Sequence, residues 1–411
     1  MNENTAEASS APRRQGLPTA APDGEIARVL LAFLATAGLF YVNIMPALVD
    51  GLIEGLGFSN QQAGLVGSAN VYGAALGALA AVFIVKHVPW RPVSLGLLLG
   101  LISADMVSMY IDSAGLLIGL RFVHGTIGGV LVGVGFAVIS RTREADRTFG
   151  YLLSIQFGLG GLGLMYLPPL VPEYGTSALF LSLITFSVVT LLMIPFLSDY
   201  PPREIEPQAT GSGSGSGVNR KMLLLALLAT FLFQAANMGI YAYIIGLGKT
   251  AGLEPMFINS TLGLAAWIAI AGSVLVILIS TRFGRLWPVT LAMILTVAGT
   301  WILHYSEMKS MYWLANVGVG ISWAFVISYL LGMCSAFDQT GQTAALGGFA
   351  SKMGLASGPF VAAMVVGEGN YELLINLAII ALVVSAAVVM APAALLDASA
   401  NQQEDSPALP G

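Results

Sequence analysis

Four ionisable side chains fall inside long apolar runs of this 411-residue chain, several residues from either end: Asp105, Arg121, His124 and Lys352. A charge in the middle of a bilayer costs about 2.5–3.5 kcal/mol even on insertion scales. Residues kept at that cost are candidates for holding a charged substrate or moving a proton. Arg121 lies seven residues inside one run, and Asp105 lies seven residues before the end of the preceding run. At about 1.5 Å of rise per residue each is roughly 10 Å deep. A tight turn near Asp112 and Ser113 joins the two runs, so the two side chains are level on adjacent helices. The arrangement predicts an Asp105–Arg121 pair, because pairing offsets the desolvation of both charges. Such a pair is either a fixed tie between helices or one that opens when substrate or proton arrives. His124, three residues after Arg121, shares its helix face. Its titration near neutrality suits a proton carrier, and a hydrogen bond to a neighbouring backbone group or hydroxyl is the structural alternative.

Lys352 sits near the middle of a run reading GGFASKMGLASGP (347–359). Its counterpart in the first half reads FGLGGLGLMYLPP (157–169). Paired Gly/Pro-interrupted spans mark transporter binding sites, because interrupted helix frees backbone groups for a ligand. The structural alternative is that the glycines pack helices and the lysine snorkels to an interface. Tyr41, Asn43, Gln156, Gln234, Asn237, Tyr241, Trp323 and Tyr329 are weaker candidates for lining a cavity. Gln234, Asn237 and Tyr241 share one helix face by their i, i+3, i+7 spacing. Asp50, Glu54, His304 and Glu307 lie near span ends, where solvated charges are ordinary.

These residues need helices to hold them. The chain is 56% hydrophobic and 9% charged, against roughly 25% charged in a soluble domain, and it reads as a polytopic membrane protein. Runs long enough to cross, about 20 residues each, occupy 27–49, 60–84, 92–112, 114–140, 148–170, 176–197, 221–246, 257–281, 288–305, 311–336, 341–366 and 371–395. Residues 1–24 and 397–411 read as disordered tails. Residues 198–220, ending in a Gly/Ser tract, read as a flexible linker between bundles at 25–197 and 221–396. The lone cysteine, Cys334, excludes an internal disulfide. Thirteen of the seventeen Lys and Arg residues, Arg28, Lys86, Arg141, Arg282 and Arg285 among them, fall on one side. The positive-inside rule places that side, both termini and the linker in the cytoplasm. The membrane is then a plasma or bacterial inner membrane.

The halves repeat each other. VKHVPWRPVSL (85–95) aligns with TRFGRLWPVTL (281–291), pairing Lys86 with Arg282, Pro92 with Pro288 and Leu95 with Leu291. LLAFLAT (30–36) matches LLALLAT (224–230), and Asp146, Thr148 and Phe157 match Asp338, Thr340 and Phe349. Parallel six-span repeats are built for alternating access.

With these motifs the chain resembles the major facilitator superfamily over all twelve spans. TRFGR (281–285) is similar to the family's basic loop, with Arg282, Gly284 and Arg285 in place and Thr281 at the usual acidic position. The first-half loop keeps only Lys86. Arg121, Gly125 and Gly129 resemble the family's span-4 motif, whose arginine is linked to proton movement or substrate binding. Gly354, Gly358 and Pro359 resemble a span-5 antiporter motif, but they sit in span 11. The resemblance implies an all-α membrane protein with twelve transmembrane helices in two pseudo-symmetric six-helix bundles. Lys86, Arg282, Gly284, Arg285, Asp146 and Asp338 would serve gating, and spans 1, 4, 7 and 10 would line a central cavity.

Gly158, Gly160 and Gly163 spell G-x-G-x-x-G, but with no preceding strand they do not read as a dinucleotide site. No phosphate-binding loop, Cys/His cluster or nucleophile motif occurs, so neither cofactor nor metal is expected and the chain does not read as an enzyme. The sequence reading is a symporter for a small organic anion, a carboxylate, coupled to protons. It works as a monomer in the lipid bilayer with no nucleic-acid partner. An efflux pump for lipophilic compounds and a transporter-like receptor are the alternatives.

Overall fold

The computed structural model describes residues 19–85, 88–201, 219–279, 282–337, 342–367 and 369–404. Lys86, Asp338 and most of the expected linker lie outside these residues, as does the side chain of Asp146. The first half runs α1 (Glu25–Ala37), α2 (Phe40–Asn43), α3 (Met45–Leu56), α4 (Asn60–Ile84), α5 (Trp90–Ser108), α6 (Ala114–Ile139), α7 (Ala145–Tyr166), α8 (Val171–Tyr174) and α9 (Ser177–Met193). The second runs α10 (Arg220–Ala242), α11 (Ile244–Thr250), α12 (Pro255–Ile279), α13 (Leu286–Ile302), α14 (Lys309–Ala336), α15 (Gln342–Val366) and α16 (Tyr371–Glu404).

Among the described residues, eleven helices are long and apolar enough to cross a membrane. The remaining expected span, 27–49, is not one rod. It is broken after Ala37 and again at Ile44, where φ is -108° and ψ 18°. Pro46 in the first turn of α3 accounts for the second break, since it has no N–H to bond the Val42 carbonyl four residues back and its ring crowds that carbonyl. The second half bends in the same way at Tyr243, with φ -112° and ψ 10°. The interruption expected in the span carrying Lys352 does not occur, since α15 runs unbroken through Lys352 and Pro359. Helix α7 likewise runs unbroken through Gln156 and its glycines, and breaks only at its proline end, where it stops at Tyr166 and a 3-10 turn, Pro168–Leu170, follows. Their glycines serve packing: a Cβ on Gly354 or Gly358 would collide with the backbone of α10 at Phe231 or Ala235.

The two six-helix bundles are joined along two seams, α4 against α15 and α7 against α12. Within the first bundle, α4 and α6 run at backbone contact, and a Cβ on Gly125 would be driven into the Asn70 carbonyl. Two expected tails are partly ordered. Ser198 Oγ donates to the Ala20 carbonyl and Tyr200 OH to that of Pro22. Helix α16 continues past residue 396 because the Asp397 carboxylate accepts from Arg285 N and Leu286 N at 2.8–2.9 Å. Gly284, at φ 69°, makes the turn that wraps this carboxylate.

Candidate functional site

Lys352 lies on the wall of a cavity of about 260 Å³ between the bundles. Asn43, Gln156, Gln234, Asn237, Tyr241 and Trp323 share that wall, so seven of the twelve expected site residues meet in one place. Most of the remaining wall is apolar, including Leu39, Val71, Leu262, Ala265 and Val319. Among the described residues Lys352 has no hydrogen-bond or ion-pair partner. Its position on α15 is fixed from behind: Gln234 Nε2 donates to Ser351 Oγ at 2.7 Å, and Gln234 Oε1 accepts from Trp323 Nε1 at 2.6 Å. Trp323 stands edge-on to Tyr241, with ring centroids 5.9 Å apart.

Arg121, Asp105, His124, Tyr41 and Tyr329 do not line this cavity. The first four form a separate buried cluster in the first bundle. Arg121 Nη1 donates to Asp105 Oδ1 at 2.7 Å, and the guanidinium also reaches the Ala104 carbonyl and Ser108 Oγ. Arg121 and Asp105 are both 0% exposed. The pair inferred from helix arithmetic is therefore present, and His124 completes it. Its Nε2 lies 3.3 Å from Asp105 Oδ2, within ion-pair distance though not aligned as a hydrogen bond. The Tyr41 ring packs on the other three, 6.0 Å from the His124 ring and 5.9 Å from the Arg121 guanidinium.

Two functional features were not apparent in the sequence. Asn70 on α4 donates to the Arg121 carbonyl at 3.2 Å and sits 2.7 Å from His124 Nδ1. Asp50 is not an ordinary solvated charge; it is 7% exposed and holds Lys249 of the other bundle at 2.8 Å, with Glu54 as a second partner. Only the opposing charge of Lys249, far away in sequence, could have signalled this.

The ties between bundles cluster toward the end opposite the Arg-rich loops. Lys249 meets Asp50 there, Tyr243 OH donates to the Asn60 carbonyl, and Asn60 Nδ2 donates to the Gly367 carbonyl. Nearer mid-depth, Ser68 Oγ donates to the Ala356 carbonyl and Tyr72 bonds Ser357. At the Arg-rich end the contacts of Arg28 with Glu25 and Glu144, and of Arg285 with Asp397, stay within one bundle. Among the described residues, the polar ties between the bundles thus gather toward one end of the interface.

The family model described as Major Facilitator Superfamily matches residues 29–363. The chain belongs to the Major Facilitator Superfamily. It is a multi-pass membrane protein of that superfamily's transporter fold. The nucleoside transporter NupG superposes with a TM-score of 0.70 at 14% identity, covering 90% of this chain and 99% of its own. A bacterial homologue of the human lysosomal transporter Spinster, solved inward-facing and unoccupied, gives 0.61 at 13% identity, covering 94% of this chain and 100% of its own. At these identities the superfamily likeness is one of fold. No curated protein sequence matches the chain.

Proposed function

We propose that the protein is a secondary active transporter that carries a small organic anion, of the carboxylate class, by alternating access coupled to protons. The observation that carries this reading is Lys352: a cation on the wall of a mainly apolar cavity, without a partner among the described residues. A bound carboxylate would supply the missing counter-charge, and burial of the pair would strengthen it. The Asp105–His124–Arg121 cluster, apart from the cavity, would take the proton. With the Arg-rich end cytoplasmic, the ties at Lys249 and Asn60 close the outer side, and Arg282, Gly284 and Arg285 belong to the inner gating loop. Uptake of organic acids into proteoliposomes, compared between wild type and Lys352→Ala, tests the assignment. Loss of uptake in the variant is expected, and unchanged uptake overturns it.

A second reading, export of lipophilic compounds, is favoured by the apolar wall and the Tyr241–Trp323 aromatic pair. In that case deletion would sensitise cells to toxic amphiphiles, and Lys352→Ala would leave export intact.

A further inference from the structure

The asparagines of the cavity wall share one habit. Asn237 Nδ2 donates to the Phe233 carbonyl at 2.8 Å, and Asn316 Nδ2 donates to that of Tyr312 at 2.8 Å. Asn43 Nδ2 donates to the Gln156 carbonyl at 3.4 Å. Only the amide nitrogen can face a carbonyl, so these bonds fix which end of each side chain is oxygen. In all three the Oδ1 is left over, and among the described residues it has no donor. Asn237 is 4% exposed, so its unpartnered Oδ1 is a buried acceptor bordering the cavity. Leaving such a group unpaired costs free energy that a ligand donor recovers.

Two aromatic donors of the same wall are already engaged. Tyr241 OH donates to the Asn43 carbonyl and Trp323 Nε1 to Gln234 Oε1. What remains is one cationic donor, Lys352, the side-chain amide of Gln156, the hydroxyl of Thr300, and three asparagine oxygens that can only accept, set in mainly apolar surface. A simple fatty or aryl carboxylate would satisfy the lysine and leave the oxygens unpaired.

We infer that the cavity selects a carboxylate that also carries hydroxyl or N–H donors on an apolar body, with Asn43, Asn237 and Asn316 reading the donors. This rests on the carboxylate reading above and adds a second recognition element to it. Asn43 comes from the first bundle and the other two from the second, so a donor-bearing ligand touches both moving parts.

The test is binding to the purified full chain by calorimetry. The probes are phenylpropanoate, its α-hydroxy form phenyllactate, para-hydroxyphenylpropanoate, and the neutral phenylpropanol. At least one hydroxylated acid is expected to bind about tenfold more tightly than phenylpropanoate, the worth of one buried hydrogen bond. In Asn237→Leu and Asn316→Leu that ratio should fall toward one, while Lys352→Met should weaken all three acids alike. Equal affinity for the three acids overturns the donor-reading role and leaves the carboxylate assignment standing. Binding of phenylpropanol but of none of the acids overturns the carboxylate assignment, and this inference with it.

Discussion

Asn70 reaches from α4 to the imidazole of His124, its Nδ2 2.7 Å from Nδ1, while the same nitrogen lies 3.2 Å from the Arg121 carbonyl. Because an amide nitrogen only donates, Nδ1 must accept, and the ring proton sits on Nε2 facing Asp105. One asparagine therefore sets the tautomer of the candidate proton carrier. Asn70→Leu should lower stability by about 1–3 kcal/mol, since it leaves the buried His124 Nδ1 without a donor. Thermal unfolding of detergent-solubilised protein checks this, and a wild-type midpoint would refute it.

The Asp105–Arg121 pair is expected to behave as a unit. Asp105→Leu alone strands a buried guanidinium and should cost about 3–5 kcal/mol, whereas the double variant Asp105→Leu, Arg121→Met should cost much less. Unfolding midpoints of the two singles and the double give the coupling. Additive losses would mean that the two charges do not depend on each other.

Helix packing in the first bundle makes a sharper steric prediction. Gly125→Ala should separate α4 from α6 and destabilise the fold, because its Cβ has no space. Gly119→Ala, where nothing lies within 4 Å of an added Cβ, should be neutral or stabilise by about 0.5–1 kcal/mol. The same unfolding assay ranks them, and equal effects would contradict the packing described.

Lys249 ties the bundles at the end opposite the Arg-rich loops, so Lys249→Ala should raise the population opened at that end. Spin labels at Tyr110 and Met308, in a Cys334→Ser background, lie in different bundles near that end. Their distance distribution should gain a longer component in the variant. An unchanged distribution would show that the tie carries no closure.

Glu25, at the Arg-rich end, accepts a hydrogen bond from Tyr151 and faces Arg147 and Arg28, which together hold its carboxyl below the ordinary 4.5. A depressed carboxylate value adds stability that is present above the unfolded value and lost as pH falls through the folded one. Glu25→Gln should therefore flatten the fall of stability between about pH 6 and pH 3. A pH profile parallel to wild type would exclude a contribution from this carboxylate.

Much of this could be read from the chain. The Asp105–Arg121 pair follows from equal depth on two joined helices, and the twofold repeat follows from the TRFGR-type loop and its neighbours. Lys352 stood out because a lysine in apolar sequence is costly. The break points were misplaced for a physical reason. Glycine and proline mark both irregular helix and close helix approach; in α15 and at the glycines of α7 they do the second, and only Pro168 and Pro169 after α7 do the first. The real bends, at Ile44 and Tyr243, carry only Pro46 as a local signal. Asn316 and Asn70 went unnoticed because a single amide in an apolar helix does not declare which atoms its own backbone will occupy. Asp50 looked ordinary because its partner is 199 residues away.

The α7–α12 seam has one further consequence. Gly161 and Gly263 bring two backbones so near that a Cβ on Gly161 would lie 2.8 Å from the Gly263 carbonyl. Trp267 Nε1 spans the same seam to the Gly158 carbonyl at 3.0 Å. Were the bundles to rock as proposed, contact this close, placed toward one end of long helices, would serve as a fulcrum. A tilt of a fraction of an ångström at the glycines becomes several ångströms at the far tips of the helices. In the alternating access proposed above, the width to which the far end opens would be set at two glycines that do not line the cavity.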